Sequence, residues 1–461
     1  MTVELDITLT DLETNKANRL THWTEYNVTN DINSPANFGA TLAALENQRQ
    51  WTTHGGQKAQ VFSYGALQQT AYCDERSEAT NQSSTDLQVT GRCVRGLLMD
   101  SVVDSSKLSM GNLTLDRIAD RITAPWQPDY LTSITTNNAA NRYSVSGTRA
   151  KGATKTRYNK EFLIDSKTGK TDFTRYYYRT IPGKKAVVGS KNKFGKDSPV
   201  YRGITSEKIT QNKIGPEEKV ADVLARLCKD IAAVWFVGAD GTLIITRPTY
   251  DFDSSVYGEG IVQHWDKKAM KATGGNVMRS QFDTSIAARH SETMAWATVK
   301  PQKTTTGNHA ISNSWSVKDP GKAFWARNGN TLGAAKLHKP DRKVFKTLND
   351  PKMIRRRVRG IFEEAVIAGW SLNYQIYSHT INGVMPVVDS MINVHDERYG
   401  LTTKEGKGGP YYITRVERRL SIGDGRTTVL HLIPAKIWLY FDHDETSDSE
   451  YESWMVDKVF W

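Results

Sequence analysis

The first ten residues alternate between apolar and polar side chains, and this pattern is the strongest constraint on what the chain can fold into. The apolar members are Val3, Leu5, Ile7 and Leu9, with acidic residues or threonines between them. Because successive side chains of a strand point to opposite faces, a period of two predicts a half-buried strand. Short β-like segments follow at residues 60–64, 66–73 and 86–95. Residues 3–98 are therefore predicted to form a small, mostly β domain.

Helical spacing of apolar residues marks three later segments. A short helix is predicted around residues 115–122, and Pro125 ends it. A second helix is predicted at residues 216–232, where Pro216 suits the first helical position. A third is predicted at residues 351–368, after the capping pair Asn349 and Asp350.

Two turns predict β-hairpins in the second half of the chain. The Asp240-Gly241 turn separates apolar segments at residues 233–237 and 242–247, a strong hairpin pattern. Residues 370–376 alternate like a strand, and residues 411–422 and 427–438 flank the turn at residues 423–425. No repeat of fixed period is found.

Length and composition exclude several classes of protein. The 461 residues suggest two to four domains, at roughly 100–200 residues per domain. A hydrophobic content of 38% is enough to form cores, which excludes disorder across the whole chain. The N-terminus does not resemble a secretory signal, and the apolar segments are far shorter than the roughly 18 residues of a spanning helix. The three cysteines, Cys73, Cys93 and Cys228, indicate buried packing in a reducing compartment rather than a disulfide framework.

The positive charge is concentrated in one segment. Residues 149–213 contain 17 Lys and Arg against 5 Asp and Glu, whereas residues 442–461 contain 7 acidic residues and one Lys. Aromatic residues are interleaved with the bases, a composition that permits single-stranded nucleic acid to bind, although solvated faces are the plainer interpretation. We expect partner binding at Arg175, Arg179, Lys184, Lys185, Lys191, Lys193, Lys196, Trp454, Phe460 and Trp461.

Sequence patterns typical of catalysis are not found. The chain has no Walker loop, no GxGxxG after a strand, no HExxH and no GxSxG. We therefore expect no catalytic residues, no cofactor and no metal. His395 and Glu397 could share a strand face, and residues 443–445 form a second His and acid cluster, but loop turns commonly collect such residues. For Glu363, a salt bridge to Arg359 is expected rather than a catalytic role.

Several segments, taken in order, resemble one protein family. They are residues 23–38, residues 87–100, residues 115–125 with the Ala-Pro-Trp ending, residues 215–248, and residues 387–434. This order resembles the baseplate hub proteins of contractile-tailed phages, the late-control protein D family. The basic segment at 149–213 and the tail after residue 440 depart from that family.

The resemblance implies a mostly β fold with α+β parts: two small closed β-barrel domains plus intervening α/β domains. The predicted division is an N-terminal barrel at 1–100, a helix with a Lys-rich β and loop insertion at 101–214, an α/β domain at 215–345, a second barrel with a bracing helix at 346–438, and an acidic aromatic tail at 439–461.

The function that the resemblance implies is structural rather than enzymatic. Three subunits would form a trimeric ring whose six barrels match the six-fold tail tube, while the opposite face holds the three-fold spike. The implied partners are the tail tube protein, the central spike protein, the tape measure and the baseplate wedge proteins, with transient passage of DNA through a channel. The implied location is the virion tail baseplate, with synthesis in the host cytoplasm.

Two alternatives remain open from the sequence. One is a nucleic-acid-binding protein that uses residues 149–213; in a milder form, the same segment of a hub binds an acidic neighbour or acidic glycan. The other is a cell-wall hydrolase, for which Glu363 would be the residue to test.

Overall fold

The computed structural model describes a large part of the chain, with gaps. The described residues are 4–21, 23–43, 54–80, 85–104, 113, 115–127, 129–131, 133–136, 156–160, 163–164, 171–172, 178–182, 214–215, 217–230, 233–246, 257–298, 302–304, 307–309, 312–318, 338–345, 351–401, 409–421 and 423–434.

The described elements are mostly strands, with four α-helices. The first seven strands are β1 (Leu5–Thr10), β2 (Ala17–Leu20), β3 (Trp23–Asp31), β4 (Asn37–Ala43), β5 (Lys58–Ser63), β6 (Ala66–Thr80) and β7 (Thr85–Cys93). The middle elements are α1 (Val94–Asp100), α2 (Leu115–Thr123), β8 (Ser133–Thr136), β9 (Thr156–Lys160), β10 (Leu163–Ile164), β11 (Thr171–Asp172), β12 (Tyr178–Pro182), α3 (Val220–Asp230), β13 (Val234–Val237) and β14 (Thr242–Thr246).

The last elements are β15 (Ile261–Asp266), β16 (Lys271–Gly275), β17 (Val277–Thr284), β18 (Glu292–Thr298), β19 (Gln302–Thr304), β20 (Gly307–His309), β21 (Ser312–Lys318), β22 (Pro340–Phe345), α4 (Pro351–Ala368), β23 (Trp370–Ile376), β24 (Ser390–Asp396), β25 (Gly409–Ser421) and β26 (Gly425–Pro434).

Fourteen strands form one large mixed sheet that consists of two modules. The N-terminal module contains β1–β7, in the hydrogen-bonded order β2-β1-β5-β6-β7-β4-β3. The C-terminal module contains β15–β17 and β23–β26, in the order β16-β15-β24-β25-β26-β23-β17. Antiparallel pairing of β3 with β25 joins the two.

The two modules have the same strand order. When the seven strands of each are numbered along the chain, both read 2-1-5-6-7-4-3. Five of the six pairings also agree in direction, and the exception is β15 with β24, which is parallel where β1 with β5 is antiparallel. The module is therefore duplicated within one chain.

Irregularities in the ladders fall at corresponding places, which fixes the correspondence residue by residue. The β3–β4 ladder is interrupted at Thr24, and the β17–β23 ladder is interrupted at Met278. The β6–β7 ladder is interrupted at Asp74, and the β25–β26 ladder is interrupted at Thr414. A bulge bends its strand and is a specific feature of a fold rather than a defect. The agreement in bulge positions between the two modules therefore supports a true structural repeat.

Each module surrounds its own apolar core. The N-terminal core includes Ile7, Leu42 and Val61, and the C-terminal core includes Leu372, Ile392 and Leu432. The pairings of the described strands form an open, branched sheet whose ends are β2, β16 and β17, so closed barrels remain a prediction.

A third core lies between α1, α2, α3 and the sheet β13-β14-β8, and it includes Leu98, Ile118 and Leu224. The helix α4 packs on the small sheet β21-β18-β22 and against α3. Among the described residues, no helix is long and apolar enough to cross a membrane.

Several local predictions are confirmed, and one boundary is wrong. The helix at 351–368, the strand at 370–376 and the Asp240-Gly241 hairpin are present as predicted. The second helix, predicted from residue 216, begins at Val220. The preceding residue, Lys219, instead pairs with Val102 in a β-bridge, and this contact with the rest of the fold displaces the helix start. The division into five domains remains a prediction; β15–β17, predicted in the α/β domain, pair with strands of the C-terminal module.

Candidate functional site

The residues predicted to bind partners lie almost entirely outside the described part of the chain. Arg179 is within β12, where its Cα is opposite that of Asn159, but its side chain is not described. The other nine are outside the described residues. The roles of residues 149–213 and of the tail therefore remain predictions.

The described feature with the clearest functional consequence is the seam, the contact between β3 and β25 together with the side chains around it. The strand β25 is 13 residues long, and its two halves have different neighbours on one side. Residues 409–413 pair with β24, whereas residues 415–420 pair with β3. One strand is thus shared by both modules, which fixes how they lie relative to each other.

A buried carboxylate ties the shared strand to the N-terminal module. Glu417 is 4% exposed, and its Oε1 accepts hydrogen bonds from Arg419 Nε at 2.8 Å and Asn27 Nδ2 at 2.9 Å. Arg415 lies 3.4 Å from the other oxygen. Because a buried carboxylate is costly without donors, this set favours the paired arrangement of the two modules.

A second network crosses the seam at Tyr26. The Tyr26 hydroxyl donates to Glu4 Oε1 at 2.7 Å, and it also lies 2.8 Å from His379 Nε2. Since a hydroxyl carries one proton and Tyr26 gives it to Glu4, the hydroxyl accepts from the Nε2–H of His379, and the other ring nitrogen, Nδ1, lies 3.1 Å from the Thr428 hydroxyl oxygen. Arg426 completes the network with an ion pair to Glu4 at 2.6 Å.

Burial sets the ionisation of the two central groups. Desolvation lowers the pKa of His379 to about 3, and the nearby charges of Arg418 and Arg426 act in the same direction. Desolvation and the neighbouring Glu4 raise the pKa of Tyr26 above its usual value. Both side chains are therefore neutral near pH 7, so the bond between Tyr26 and His379 is a neutral hydrogen bond, and the Glu4–Arg426 ion pair is the charged contact of this network.

Arg95 at the start of α1 ties the N-terminal module to the middle of the chain. Its guanidinium donates to the carbonyl oxygens of Ile32 at 2.7 Å and Asn33 at 2.9 Å. The same group lies over the Trp235 ring, 4.3 Å from its centroid. The loop after β3 is thus held between two cores.

Besides β2 and β16, the large sheet has two further edges without a described neighbour. The arm, defined as residues 74–80 of β6 with the paired residues 85–90 of β7, extends beyond the end of β5. Residues 74–79 are all exposed. In a strand that packs on one face, buried and exposed side chains should alternate, so neither face of this segment is covered. Among the described strands, β17 pairs with β23 on one side alone. Such edges are templates for pairing with another chain.

One cluster of possible metal ligands lies on the outer face of the C-terminal module. His264 Nδ1 is 3.3 Å and His395 Nε2 is 3.7 Å from the same oxygen, Glu397 Oε1. The other carboxylate oxygen accepts a hydrogen bond from the Trp265 backbone at 2.8 Å. That bond and the two imidazoles lower the pKa of Glu397. We call these three residues the His–His–Glu cluster.

Sequence reasoning paired His395 with Glu397 and missed His264, which is more than a hundred residues away in the chain. The parallel register of β15 and β24, with Val262 opposite His395, brings it into place. No local pattern could have indicated this.

The three cysteines are buried, and one carboxylate of α4 forms an ion pair. All three cysteines are free and buried, as predicted, and desolvation raises the pKa of Cys73 to about 11. Glu364 forms an ion pair with Lys229 at 3.3 Å. The side chains of Glu363 and Arg359 are not described, so their salt bridge remains a prediction.

Comparison with known proteins identifies the fold. No family model matches the chain, and no curated protein matches it in sequence. A 43 kDa tail protein of prophage MuSo2 from Shewanella oneidensis superposes with a TM-score of 0.61 at 15% identity, over 94% of this chain and 99% of that one. A tail protein from Neisseria meningitidis MC58 superposes with a TM-score of 0.60 at 17% identity, over 96% and 99%. The chain therefore shares its fold, over nearly its full length, with tail proteins.

Proposed function

We propose that this chain is a structural subunit of a contractile phage tail, the baseplate hub, and that it acts as a homotrimer. In this role it joins the six-fold tail tube to the three-fold central spike and leaves a channel for the tape measure and DNA. Its further partners are the baseplate wedge proteins, and its place is the baseplate of the virion.

One observation carries the proposal: the same seven-strand module occurs twice in the chain, in the same strand order. Three chains then supply six similar modules, so a ring with three-fold symmetry can present six near-equivalent contacts to a hexameric neighbour. The seam supports this role, because the shared strand β25 fixes the two modules in one arrangement. The fold likeness to two proteins described as tail proteins agrees with it.

The proposal extends to the absence of an enzymatic role. Its support is the lack of a recognisable catalytic motif in the sequence. A zymogram on peptidoglycan is the direct check, and clearing that is lost in Glu363→Gln would contradict it.

The experiment that tests the hub is a mass and shape measurement of the purified full-length protein. Mass photometry should give three chains per particle, and negative-stain images should show a ring with six lobes around a hole. A stable monomer at micromolar concentration would rule out the hub.

The basic segment at residues 149–213 supports one alternative, nucleic-acid binding, because it carries the whole charge excess of the chain. Single-strand binding through it should weaken by about 0.7 log unit per log unit of salt for each phosphate contact. In the hub, reversing the charges of Lys184, Lys185, Lys191 and Lys193 should leave trimers intact and block baseplate assembly. If trimers of this variant still assemble into baseplates, the basic segment has no role in assembly.

A further inference from the structure

The duplicated module makes the seam a template for the contact between neighbouring subunits. This inference rests on the proposed trimer, and it names the surfaces that would form its interface. Within one chain, β3 of the N-terminal module pairs with residues 415–420 of β25. By the shared strand order, β17 corresponds to β3, and β6 corresponds to β25.

Both corresponding edges lack a described neighbour in the large sheet. The arm of β6 is exposed over residues 74–79, whereas its counterpart in β25 has Val416, Glu417 and Arg418 buried under β3. On the other side of the contact, β17 pairs with β23 alone among the described strands. Its counterpart β3 pairs with β4 on one side and with β25 on the other, so β17 lacks the partner that β25 provides for β3. The arm is therefore incomplete in a single subunit.

The local geometry before the arm also repeats that of the seam. The Gly56 N–H donates to the Cys73 carbonyl oxygen at 2.8 Å, and the Asp389 N–H donates to the Ile413 carbonyl oxygen at 2.9 Å. Each acceptor directly precedes a bulge, at Asp74 and Thr414 respectively. The strand β6 thus leaves β5 in the way that β25 leaves β24 to meet β3.

We propose that the arm of one subunit pairs antiparallel with β17 of the next copy of this chain, repeating the seam around the ring. Alignment of the bulges, Thr24 with Met278 and Asp74 with Thr414, fixes the register. The resulting opposite pairs are Arg76 with Thr284, Ser77 with Asp283, Glu78 with Phe282, and Ala79 with Gln281.

This contact is heterologous, since it joins different surfaces of the two copies. A heterologous contact closes into a ring or continues into a filament. With two modules per subunit and six positions in the ring, closure occurs at three chains. Backbone pairing at an edge supplies affinity with little demand on side-chain identity, which suits strands as polar as these.

Cysteine cross-linking in the full chain tests the register. Ser77 and Asp283 are exposed, and opposite strand residues lie within the Cα separation of about 4.4–6.8 Å that a disulfide spans. Oxidised Ser77→Cys/Asp283→Cys protein should run as covalent dimers and trimers on a denaturing gel. Each single variant, Ser77→Cys or Asp283→Cys, should run as a monomer on that gel. Under native conditions each should have the same mass as wild type.

The outcomes separate this interface from the hub itself. Trimers in solution that give no cross-link would overturn the interface and leave the hub standing. Monomers in solution would overturn both. A cross-linked ladder that continues past three chains would overturn the closed ring.

A separate observation, the His–His–Glu cluster, supports a second inference. Its three ligand atoms all lie within 4.8 Å of one another. Zinc ligands in a tetrahedral site, with bonds of about 2.0–2.1 Å, lie about 3.3 Å apart. The distance from His264 Nδ1 to Glu397 Oε1 already has that value, at 3.3 Å. The distance from His395 Nε2 to the same oxygen is 3.7 Å, which is 0.4 Å longer.

The cluster is also held in a way that suits ligation. His264 and His395 are on the adjacent parallel strands β15 and β24, and Glu397 directly follows β24. The Trp265 N–H fixes one oxygen of Glu397, which leaves the other facing both imidazoles. Hydrogen bonds of this kind orient the ligands of metal sites.

The geometry points to a site for Zn²⁺ or a similar divalent transition metal at His264, His395 and Glu397, with a fourth position open to water. The metal would bridge β15 and β24, the one pairing whose direction differs between the two modules.

Zinc titration of the full-length, chelator-treated protein tests this site. Wild type should bind one Zn²⁺ per chain, and Co²⁺ should give the visible absorption of a tetrahedral site. Removing a residue that only supports a metal ligand lowers metal affinity 10–100-fold. Removing a ligand itself, in His264→Ala or Glu397→Gln, should therefore lower the affinity for Zn²⁺ by at least about 100-fold. Glu259→Gln, which removes an exposed carboxylate from the same segment, should bind as wild type does.

The tail offers a competing cluster at residues 443–445, so His443→Ala is the second control. Binding that is lost in His443→Ala and kept in His264→Ala would overturn the proposed site. Failure of wild type to bind Zn²⁺ at micromolar concentration would overturn it as well.

Discussion

Removal of the Tyr26 hydroxyl should loosen the seam between the two modules. In Tyr26→Phe, Glu4 loses a hydrogen bond and keeps its ion pair with Arg426. His379, 1% exposed, loses the acceptor for its Nε2–H.

The size of the effect follows from these two losses. A hydrogen bond to a charged acceptor contributes about 1.5–3 kcal/mol, and a buried donor left unpaired costs about 1–3 kcal/mol. Because both share one hydroxyl, the contributions are not additive, and we expect a total of roughly 3 kcal/mol.

Native-state hydrogen exchange of the β3 and β25 amides measures this loss directly, because it reports local opening. Exchange in Tyr26→Phe should be about 100-fold faster than in wild type, at tenfold per 1.4 kcal/mol. The matched control is Tyr72→Phe. Tyr72 is buried to a similar extent, but its hydroxyl has no hydrogen-bond partner among the described residues, so exchange should hardly change. Equal exchange rates in the two variants would refute the network.

Three further predictions concern pH, backbone fit and packing. His379 has a folded pKa of about 3 against an ordinary value of 6.5, so the unfolded chain binds the extra proton and stability falls as pH drops from 6.5 towards 3. The slope of this contribution should reach about 1.4 kcal/mol per pH unit in urea unfolding, and an unchanged slope in His379→Gln would contradict it. Gly275→Ala should destabilise by more than about 1 kcal/mol, because φ is +116° and a Cβ would meet the Val262 carbonyl oxygen. The adjacent Gly274→Ala, whose Cβ would have an ordinary contact, should change stability by less than about 0.5 kcal/mol, and equal losses in thermal unfolding would argue against this turn. Leu432→Ala in the C-terminal core should cost about 2–5 kcal/mol, and a loss no larger than that of the exposed Met270→Ala would place Leu432 outside the core.

Sequence patterns correctly predicted those elements whose formation depends on neighbouring residues. The helix at 351–368 has its apolar stripe and capping pair within the same segment, and its bounds are as predicted. The Asp240-Gly241 hairpin depends on a turn that needs positive φ at Gly241, which is +84°. The helix predicted from residue 216 begins only at Val220, because the preceding Lys219 pairs with the distant Val102.

Local patterns in the sequence were enough to predict several of the strands, the hairpin at Asp240-Gly241 and the burial of the cysteines. The recurrence of seven strands in one order is visible only in the folded chain, because ladders form between backbone groups and leave no trace in residue identity. Corresponding positions such as Thr24 and Met278, or Asp74 and Thr414, share no side-chain chemistry. The same holds for the seam and the His–His–Glu cluster, whose members are brought together by strand register over long separations in the chain.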